Sequence, residues 1–584
     1  MSKYRLEAPS ASYVPDSTVG AFRKLLPLLR GEGRSLWIAF VALLANSGLT
    51  LLGPWLVGRA VDRYVIPGDY PGLLRTCALL LAIYLAALLF GYVQTRVMGT
   101  IGQRVLFSLR NRIFSKLQEL PTAFFGQNKA GDLIARISGD AQALNDFFAY
   151  QLMSFVGAVI LIIGVATALL VLDWRVGLVA LVPGIALVAV SWLLGPWSQK
   201  RNRINREVLG SLSGEIAESL ANFKVVVSFG RQDYFRKRFA EVNGRTFDTA
   251  MSAGYANALY QPLYGLAGSL GLLGVLAYGI YLTGQGSLTI GVLIAALAYA
   301  PRLYDPVRQI GALWMSLQTA LAAWDRITPL LRVESDLQVL PDAKTDSNQP
   351  FVAFADVSFA YEDGATVLTD VSFALERGKK YALVGPTGGG KTTTASLMAR
   401  LFDPTSGTVI LGGRDLRTVP DEERTRRIGF ILQEPFLFAG TVEQNLTYGN
   451  EELAGLRTDQ MQARIRSAGL EPLLARFESG LGTEAGSELS LGQRQLIAFM
   501  RAVLRRPDLL ILDEATANVD TVTEAQLEKV LGLLPAETTL VTIAHRLNTI
   551  EAADEIFFVN GGSVTPAGSL EQAVSMLLEG KRTS

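Results

Sequence analysis

From Thr249 to Pro301 no side chain carries a charge. As a single helix this run would extend about 80 Å, against roughly 30 Å of bilayer hydrocarbon, so the chain must turn back within it. Thr283-Gly284-Gln285-Gly286-Ser287 supplies the turn residues. Four uncharged runs precede it: Leu36 to Gly58, Thr76 to Thr95, Phe147 to Leu172, and Val176 to about Gln199. In lipid every backbone N–H and C=O needs a partner inside the chain, so the pattern predicts six membrane-spanning helices. Between the third and fourth, Asp173-Trp174-Arg175 leaves room only for a tight turn.

Orientation follows from where the basic residues lie. Arg96 to Asp146 holds seven Lys and Arg and Lys200 to Asp248 holds ten, whereas the alternate loops hold only Arg59, Arg63, Arg75 and Arg175. The two long basic segments, and both termini, are therefore expected in the cytoplasm. Both keep helical periodicity beyond their spans, so the helices are expected to continue into the cytoplasm as levers joined by short turns. The first eighteen residues are polar, and the first span is expected to be an uncleaved anchor. Before it, Val19, Phe22, Leu25, Leu26 and Leu29 share one helical face beside Arg23, Lys24 and Arg30, which suits a helix at the membrane interface or a plain amphipathic lead-in.

Three features of the membrane half invite a closer reading. Phe124 to Leu133, followed by Arg136 and Asp140, mixes aromatics with small and polar residues at a cytoplasmic bend. A helix docking into another domain and a capped helix turn both fit it. Arg302, Asp305 and Arg308 recur three residues apart in or beyond the sixth span. Either the arginines meet an anionic group of a cargo, or Asp305 neutralises them in a packing pair, and the second is preferred. Pro306 is placed to kink the helix there. The single cysteine, Cys77, sits among apolar neighbours and is expected as a packed thiol. A net charge of +1 points away from nucleic acid as a partner.

After a polar, proline-flanked stretch from Glu334 to Pro350, the pattern changes to short buried strands and helices. Gly385-Pro386-Thr387-Gly388-Gly389-Gly390-Lys391-Thr392 follows the strand-like Tyr381-Ala382-Leu383-Val384 and precedes a helix beginning at Thr393. Glycines there turn successive N–H groups toward phosphate oxygens, Lys391 reaches the β- and γ-phosphates, and Thr392 offers a hydroxyl to Mg²⁺. A nucleoside triphosphate is the expected ligand. Leu509-Leu510-Ile511-Leu512 ends in Asp513 and Glu514, where Asp513 suits the Mg²⁺ shell and Glu514 the attacking water. Gln433 and His545, the only histidine, follow two further strand-like runs, placing Gln433 near Mg²⁺ or the water and His545 near the γ-phosphate. Tyr361 closes an early strand and suits stacking on adenine. Ser490, Gly492 and Gln493 open a helix and form a second anion site, which makes sense if it closes on the nucleotide of a neighbouring copy.

Taken together, these residues resemble the ATP-binding cassette (ABC) exporters, and within them a half-transporter. The implied fold is an α-helical six-span transmembrane domain followed by an α/β P-loop ATPase domain, divided as tail and interfacial helix 1–33, membrane domain 34–333, linker 334–350 and nucleotide-binding domain 351–584. In the terms of that family, Tyr361 matches the adenine-stacking loop, Gly385 to Thr392 Walker A, Gln433 the Q-loop, Leu489 to Gln493 the signature, Asp513 and Glu514 Walker B, Asp520 the D-loop and His545 the switch histidine. Phe124-Phe125, Asn128, Gly131-Asp132 and Arg136 resemble the first intracellular loop of exporters.

The resemblance implies ATP and Mg²⁺ as cofactors, a cytoplasmic-membrane location, and export of hydrophobic or amphipathic drug-, lipid- or peptide-like molecules by a dimer. An exporter-like importer of siderophore type and a regulatory or channel subunit are the alternatives. Leu491 in the signature, the D-loop sequence Ala517-Asn518-Val519-Asp520, and Thr483 to Glu488 before the signature depart from the usual pattern. Similar replacements occur in the catalytically intact subunit of heterodimeric multidrug exporters, so a second half-transporter is the favoured partner, with a homodimer also open.

Overall fold

The computed structural model describes residues 4–6, 24–335, 337, 339–341, 349–361, 364–433, 435–486, 488–513, 521–544, 550–568 and 570–580. They form two compact units: one contains the described parts of 8–116 and 131–332, the other those of 1–7, 117–130 and 333–584.

The first unit is helical. Its main elements are α1 (Gly33–Ala60), α2 (Tyr70–Gln118), α3 (Leu152–Leu172), α4 (Trp174–Ala221), α5 (Gln232–Ala258), α6 (Tyr260–Gly284) and α7 (Ile290–Arg332). Six helical runs among them are long and apolar enough to cross a membrane. The long helices overshoot it: at 49 residues α2 extends about 74 Å, more than twice the hydrocarbon thickness. One residue separates α3 from α4. That residue, Asp173, accepts from the N–H groups of Arg175 at 2.9 Å and Val176 at 3.3 Å, so its carboxylate satisfies the first free donors of α4 and allows the tight turn. Before α3 the chain is helical from Ala130, with two wider π-helical stretches, Arg136–Asp140 and Phe147–Gln151.

Packing in the apolar layer is settled by small residues and by hydroxyl or guanidinium groups that donate to carbonyls. Gly58 of α1 and Gly291 of α7 touch backbone to backbone; a Cβ on Gly291 would lie 2.0 Å from the Gly58 carbonyl oxygen. Asp62 closes the crossing by accepting from the Gly291 N–H at 2.7 Å and the Thr289 hydroxyl at 2.5 Å. Lower on α7, Tyr299 donates to the Leu51 carbonyl, Arg302 to Thr50 O at 2.8 Å, and Tyr304 to Ala180 O at 2.5 Å.

Two expectations are corrected here. Arg302 reaches across to α1 instead of pairing with Asp305, which is exposed and makes no ion pair with another described residue; the Arg308 side chain lies outside the described residues. Inside an apolar bundle a carbonyl on the facing helix is the nearer acceptor, while Asp305 points off the buried face. Cys77 is exposed on α2, whose apolar membrane-length window has no buried residue among its described neighbours. The α7 helix runs through Pro301 and Pro306 without interruption.

At the cytoplasmic end predicted by the charge pattern, Arg326 of α7 forms a two-pronged pair with Asp140, Nε to Oδ2 at 2.8 Å and Nη2 to Oδ1 at 2.5 Å. Arg136 donates to the Arg326 carbonyl. Both side chains of the pair are largely buried, at 31% and 11% exposed, so removing one leaves the other charge without its hydrogen-bonded partner. Asp140→Ala is expected to lower the thermal unfolding midpoint, and a double-mutant cycle with Arg326→Ala should return a coupling of about 1–3 kcal/mol. Additive single effects would show that the pair is ornamental.

The second unit holds ten strands. Four form the antiparallel sheet β2-β1-β4-β5, with β1 Val352–Ala360, β2 Thr366–Leu375, β4 Ser406–Leu411 and β5 Arg414–Asp415. Six form the sheet β10-β9-β3-β8-β7-β6, with β3 Lys380–Val384, β6 Ile428–Ile431, β7 Leu509–Asp513, β8 Thr539–Ile543, β9 Glu555–Asn560 and β10 Ser563–Pro566. In the second sheet only β10 is antiparallel to its neighbour. Leu509 to Leu512 and Tyr381 to Val384 are each at most 2% exposed, the continuous apolar pattern of parallel strands covered on both faces.

A helical layer from Val442 to Leu504 packs its own core of Met461, Ile465, Leu473, Phe477, Ile497 and Met500. The short helix Thr122–Gln127 belongs to this unit: Phe124 is fully buried and the Thr122 hydroxyl donates to Leu401 O at 3.0 Å. The Asn128 side chain binds the N-terminal tail, accepting from the Leu6 N–H at 3.1 Å and donating to Tyr4 O at 2.8 Å. The same side chain closes the helix by donating to Phe124 O at 2.8 Å, so the capped turn is present, with Phe124 packed inside this unit.

Candidate nucleotide site

The C-terminal ends of β3, β8 and β7 lie in register, Leu383 beside Ile543 and Ile543 beside Asp513, with Ile431 of β6 beside Leu512. Residues that follow these strands therefore emerge at one edge of the sheet, where open α/β sheets bind ligands. From β3 the chain enters the glycine loop and then α8 (Lys391–Met398), two residues ahead of the helix start expected at Thr393. Gly390 is the N-cap of α8 at φ +109°, and having no side chain it cannot itself cap the first-turn N–H groups. Gly385, at φ +151°, packs so closely on β9 that a Cβ would lie 2.0 Å from Val559 O. Gly388, at φ +82°, has open space on the same test.

Lys391 is 6% exposed, and its ammonium donates to Gly385 O and Pro386 O at 2.9 Å each, which holds it across the loop. Thr387, Gly388 and Thr392 are exposed; Gly389, Gly390 and Thr393 are buried. The Tyr361 hydroxyl shares a 3.0 Å hydrogen bond with the Thr393 hydroxyl. Its ring stands nearly perpendicular to Phe359 and Phe402, at 4.9 and 5.5 Å between centroids. The sequence suggested stacking for this tyrosine; the tether to Thr393, just past the phosphate loop, had no signal in it.

Asp513 ends β7 at 6% exposure, and α8 packs against that strand. Gln433 is exposed just beyond β6, and its carbonyl accepts weakly from Gln495 Nε2 at 3.4 Å. The segment after it is clasped by groups that sequence reasoning missed. Arg501 donates to Asn445 O at 2.8 Å and Asn445 Oδ1 at 2.9 Å and lies 6.0 Å above the Phe438 ring, while Phe438 stacks on Tyr448 at 3.8 Å. Burial lowers the Arg501 pKa from that of a free guanidinium. No local pattern links positions 438, 445 and 501.

At the second anion site, Ser490 caps α9 (Leu491–Leu504). Its hydroxyl accepts from the Gln493 N–H at 3.2 Å, and Gln493 Oε1 accepts from the Ser490 N–H at 3.0 Å. This reciprocal capping box occupies both groups within the chain, with Gly492 between them half-buried. Glu514, Asp520 and His545 lie outside the described residues.

The donor set fits a triphosphate with Mg²⁺: a helix start capped by glycine, a buried ammonium held by two loop carbonyls, an exposed threonine at 392 and a carboxylate at a strand end. A hard cation held largely by phosphate and water oxygens needs no larger carboxylate cluster.

Comparison with known proteins agrees with this geometry. Residues 36–307 match the family model described as ABC transporter transmembrane region, and 368–517 match the one described as ABC transporter. An uncharacterized ABC transporter ATP-binding protein of Bacillus subtilis is 30% identical over 566 residues, 95% of this chain and 92% of the relative. A fatty acid ABC transporter ATP-binding/permease protein of Mycobacterium tuberculosis is 31% identical over 511 residues, 86% and 80%. A multidrug resistance ABC transporter ATP-binding and permease protein of Lactococcus lactis subsp. lactis is 30% identical over 503 residues, 85% and 84%.

Proposed function

This chain belongs to the ABC transporter family as an ATP-hydrolysing, exporter-type half-transporter, and on that premise we propose that it exports hydrophobic or amphipathic molecules across the cytoplasmic membrane. The observation that carries the reading is the glycine loop, with Lys391 spanning it and a glycine at the N-cap of α8, in the same chain as six apolar helices. The names of relatives that refer to fatty acids and to multidrug resistance support an amphipathic cargo, and the positive-inside pattern supports a cytoplasmic ATPase domain and termini.

The chain's own residues divide the work. Backbone N–H groups of Gly385 to Thr393, with Lys391, orient the phosphates, and Tyr361 stacks on the adenine. Thr392, Asp513 and Gln433 would hold Mg²⁺, which when bound would supply charge neutralisation for phosphoryl transfer. Glu514 draws the proton from the attacking water, and His545 holds the γ-phosphate. Ser490, Gly492 and Gln493, with Asp520, complete the nucleotide site of a second half-transporter, so that ATP closes two ATPase domains and hydrolysis releases them. The departures at Leu491 and in the D-loop favour a partner different from this chain.

The test is vanadate-sensitive ATPase activity of the chain purified alone in lipid nanodiscs, with mass photometry on the same sample and Glu514→Gln as control. A monomer, or a dimer without turnover, is the expected outcome. A dimer whose turnover disappears in the control would replace the heterodimer with a homodimer. In cells carrying the complete transporter, a fluorescent amphiphile should be depleted; ATP-dependent accumulation would instead mean uptake.

A further inference from the structure

A groove of about 350 Å³ lies between α1 and α2, lined by Ser35, Tyr92, Val93, Arg96, Val97, Thr100 and Arg104. Arg96, Thr100 and Arg104 recur every four residues along one face of α2, about 12 Å from first to last. Arg96 is the first charge after the uncharged run Thr76 to Thr95, so the groove straddles the edge of the hydrocarbon layer. Its wall changes character along that line. Tyr92 and Val93 lie on the uncharged side of Arg96, Val97 directly follows it, and Thr100 and Arg104 lie farther toward the water.

The charges do not cancel. Arg104 pairs with Glu32 at 3.3 Å, and Arg96 has no ion pair with a described residue. The Thr100 hydroxyl donates to Arg96 O at 2.9 Å, which leaves its lone pairs in the groove. One uncompensated guanidinium beside an apolar wall at the membrane edge suits a ligand with one negative headgroup and hydrocarbon tails. A zwitterionic headgroup gains less there, and a free anion gains nothing from the valines. The exposed Trp37 and Tyr92 are the interfacial aromatics that accompany such a level.

We propose that this groove binds an anionic phospholipid of the cytoplasmic leaflet, its phosphate at Arg96 and its acyl chains along Val93 and Tyr92. The inference rests on the membrane placement of α1 and α2 and is independent of the nucleotide chemistry.

The test is native mass spectrometry of the full-length protein after equilibration with vesicles of equal parts phosphatidylcholine and phosphatidylglycerol. Phosphatidylglycerol should be retained preferentially. Arg96→Gln, at an exposed position, should reduce that retention about five-fold with no change in phosphatidylcholine, and Arg96→Lys should restore most of it. Val97→Trp, which fills the groove without altering charge, should expel phosphatidylglycerol even with both arginines intact. Equal retention in the parent protein and Arg96→Gln overturns the proposal, as does displacement of the lipid by millimolar inorganic phosphate, which would make the groove a site for free anions.

Discussion

Lys391→Ala is expected to reduce ATP hydrolysis of the assembled transporter by about 10²–10³-fold and to weaken nucleotide binding as well. The ammonium is almost fully buried, and the acceptors described for it are the two loop carbonyls of Gly385 and Pro386. Those carbonyls hold it across the loop. A triphosphate would bring negative charge to a buried ammonium at a site of low effective dielectric, where the interaction counts for more than in water. Alanine removes the charge and the bonds that hold the loop across its mouth. Glu514→Gln should behave differently, keeping nucleotide binding while losing turnover, because it alters proton acceptance and not phosphate contact. Binding of a fluorescent ATP analogue and phosphate release, measured on both variants, separate the two roles. Hydrolysis within ten-fold of the parent in Lys391→Ala would mean that this lysine does not touch the phosphates.

The second large effect is expected from a single methyl group. Gly385→Ala places a Cβ 2.0 Å from the Val559 carbonyl oxygen while holding a non-glycine residue at φ +151°. Strain and overlap together cost about 2–5 kcal/mol if the backbone stays in place, so it will move instead. The movement displaces the end of β3 and the loop that follows it, and nucleotide affinity should fall by at least about ten-fold with a lower unfolding midpoint. Gly388→Ala is the comparison. It carries the φ penalty alone, since nothing lies within 4 Å of its added Cβ, and should cost only about 1 kcal/mol. Equal behaviour of the two variants would show that conformation, and not the contact with β9, requires glycine at Gly385.

Much of the molecule can be read locally. The uncharged runs dictated their helices because a bilayer leaves no alternative for the backbone, and Asp173 could be foreseen at a turn because a single residue had to end one helix and cap the next. The phosphate loop was legible for the same reason: its glycines carry conformations that other residues resist. Local reading failed where a side chain chose between partners. Arg302 and Asp305 are close in sequence, yet Arg302 donates to Thr50 on another helix. Cys77 had apolar neighbours in the chain but is exposed on α2. Ser490 and Gln493 were legible as a helix start, though their mutual bonds become definite only in the folded cap.

The sequence by itself determined the six long apolar helices, their place ahead of the sheet-bearing half and the glycine loop between strand and helix, because each follows from periodicity, charge or backbone freedom within a short window. Only the tertiary structure decided the Gly58–Gly291 crossing, the Arg326–Asp140 pair, the Tyr361–Thr393 tether and the clasp of Arg501 on Asn445. Each joins elements distant in the chain, and a hydrogen bond or close contact is selected by which surfaces packing brings within about 3 Å, a distance that no pattern along one strand or helix encodes.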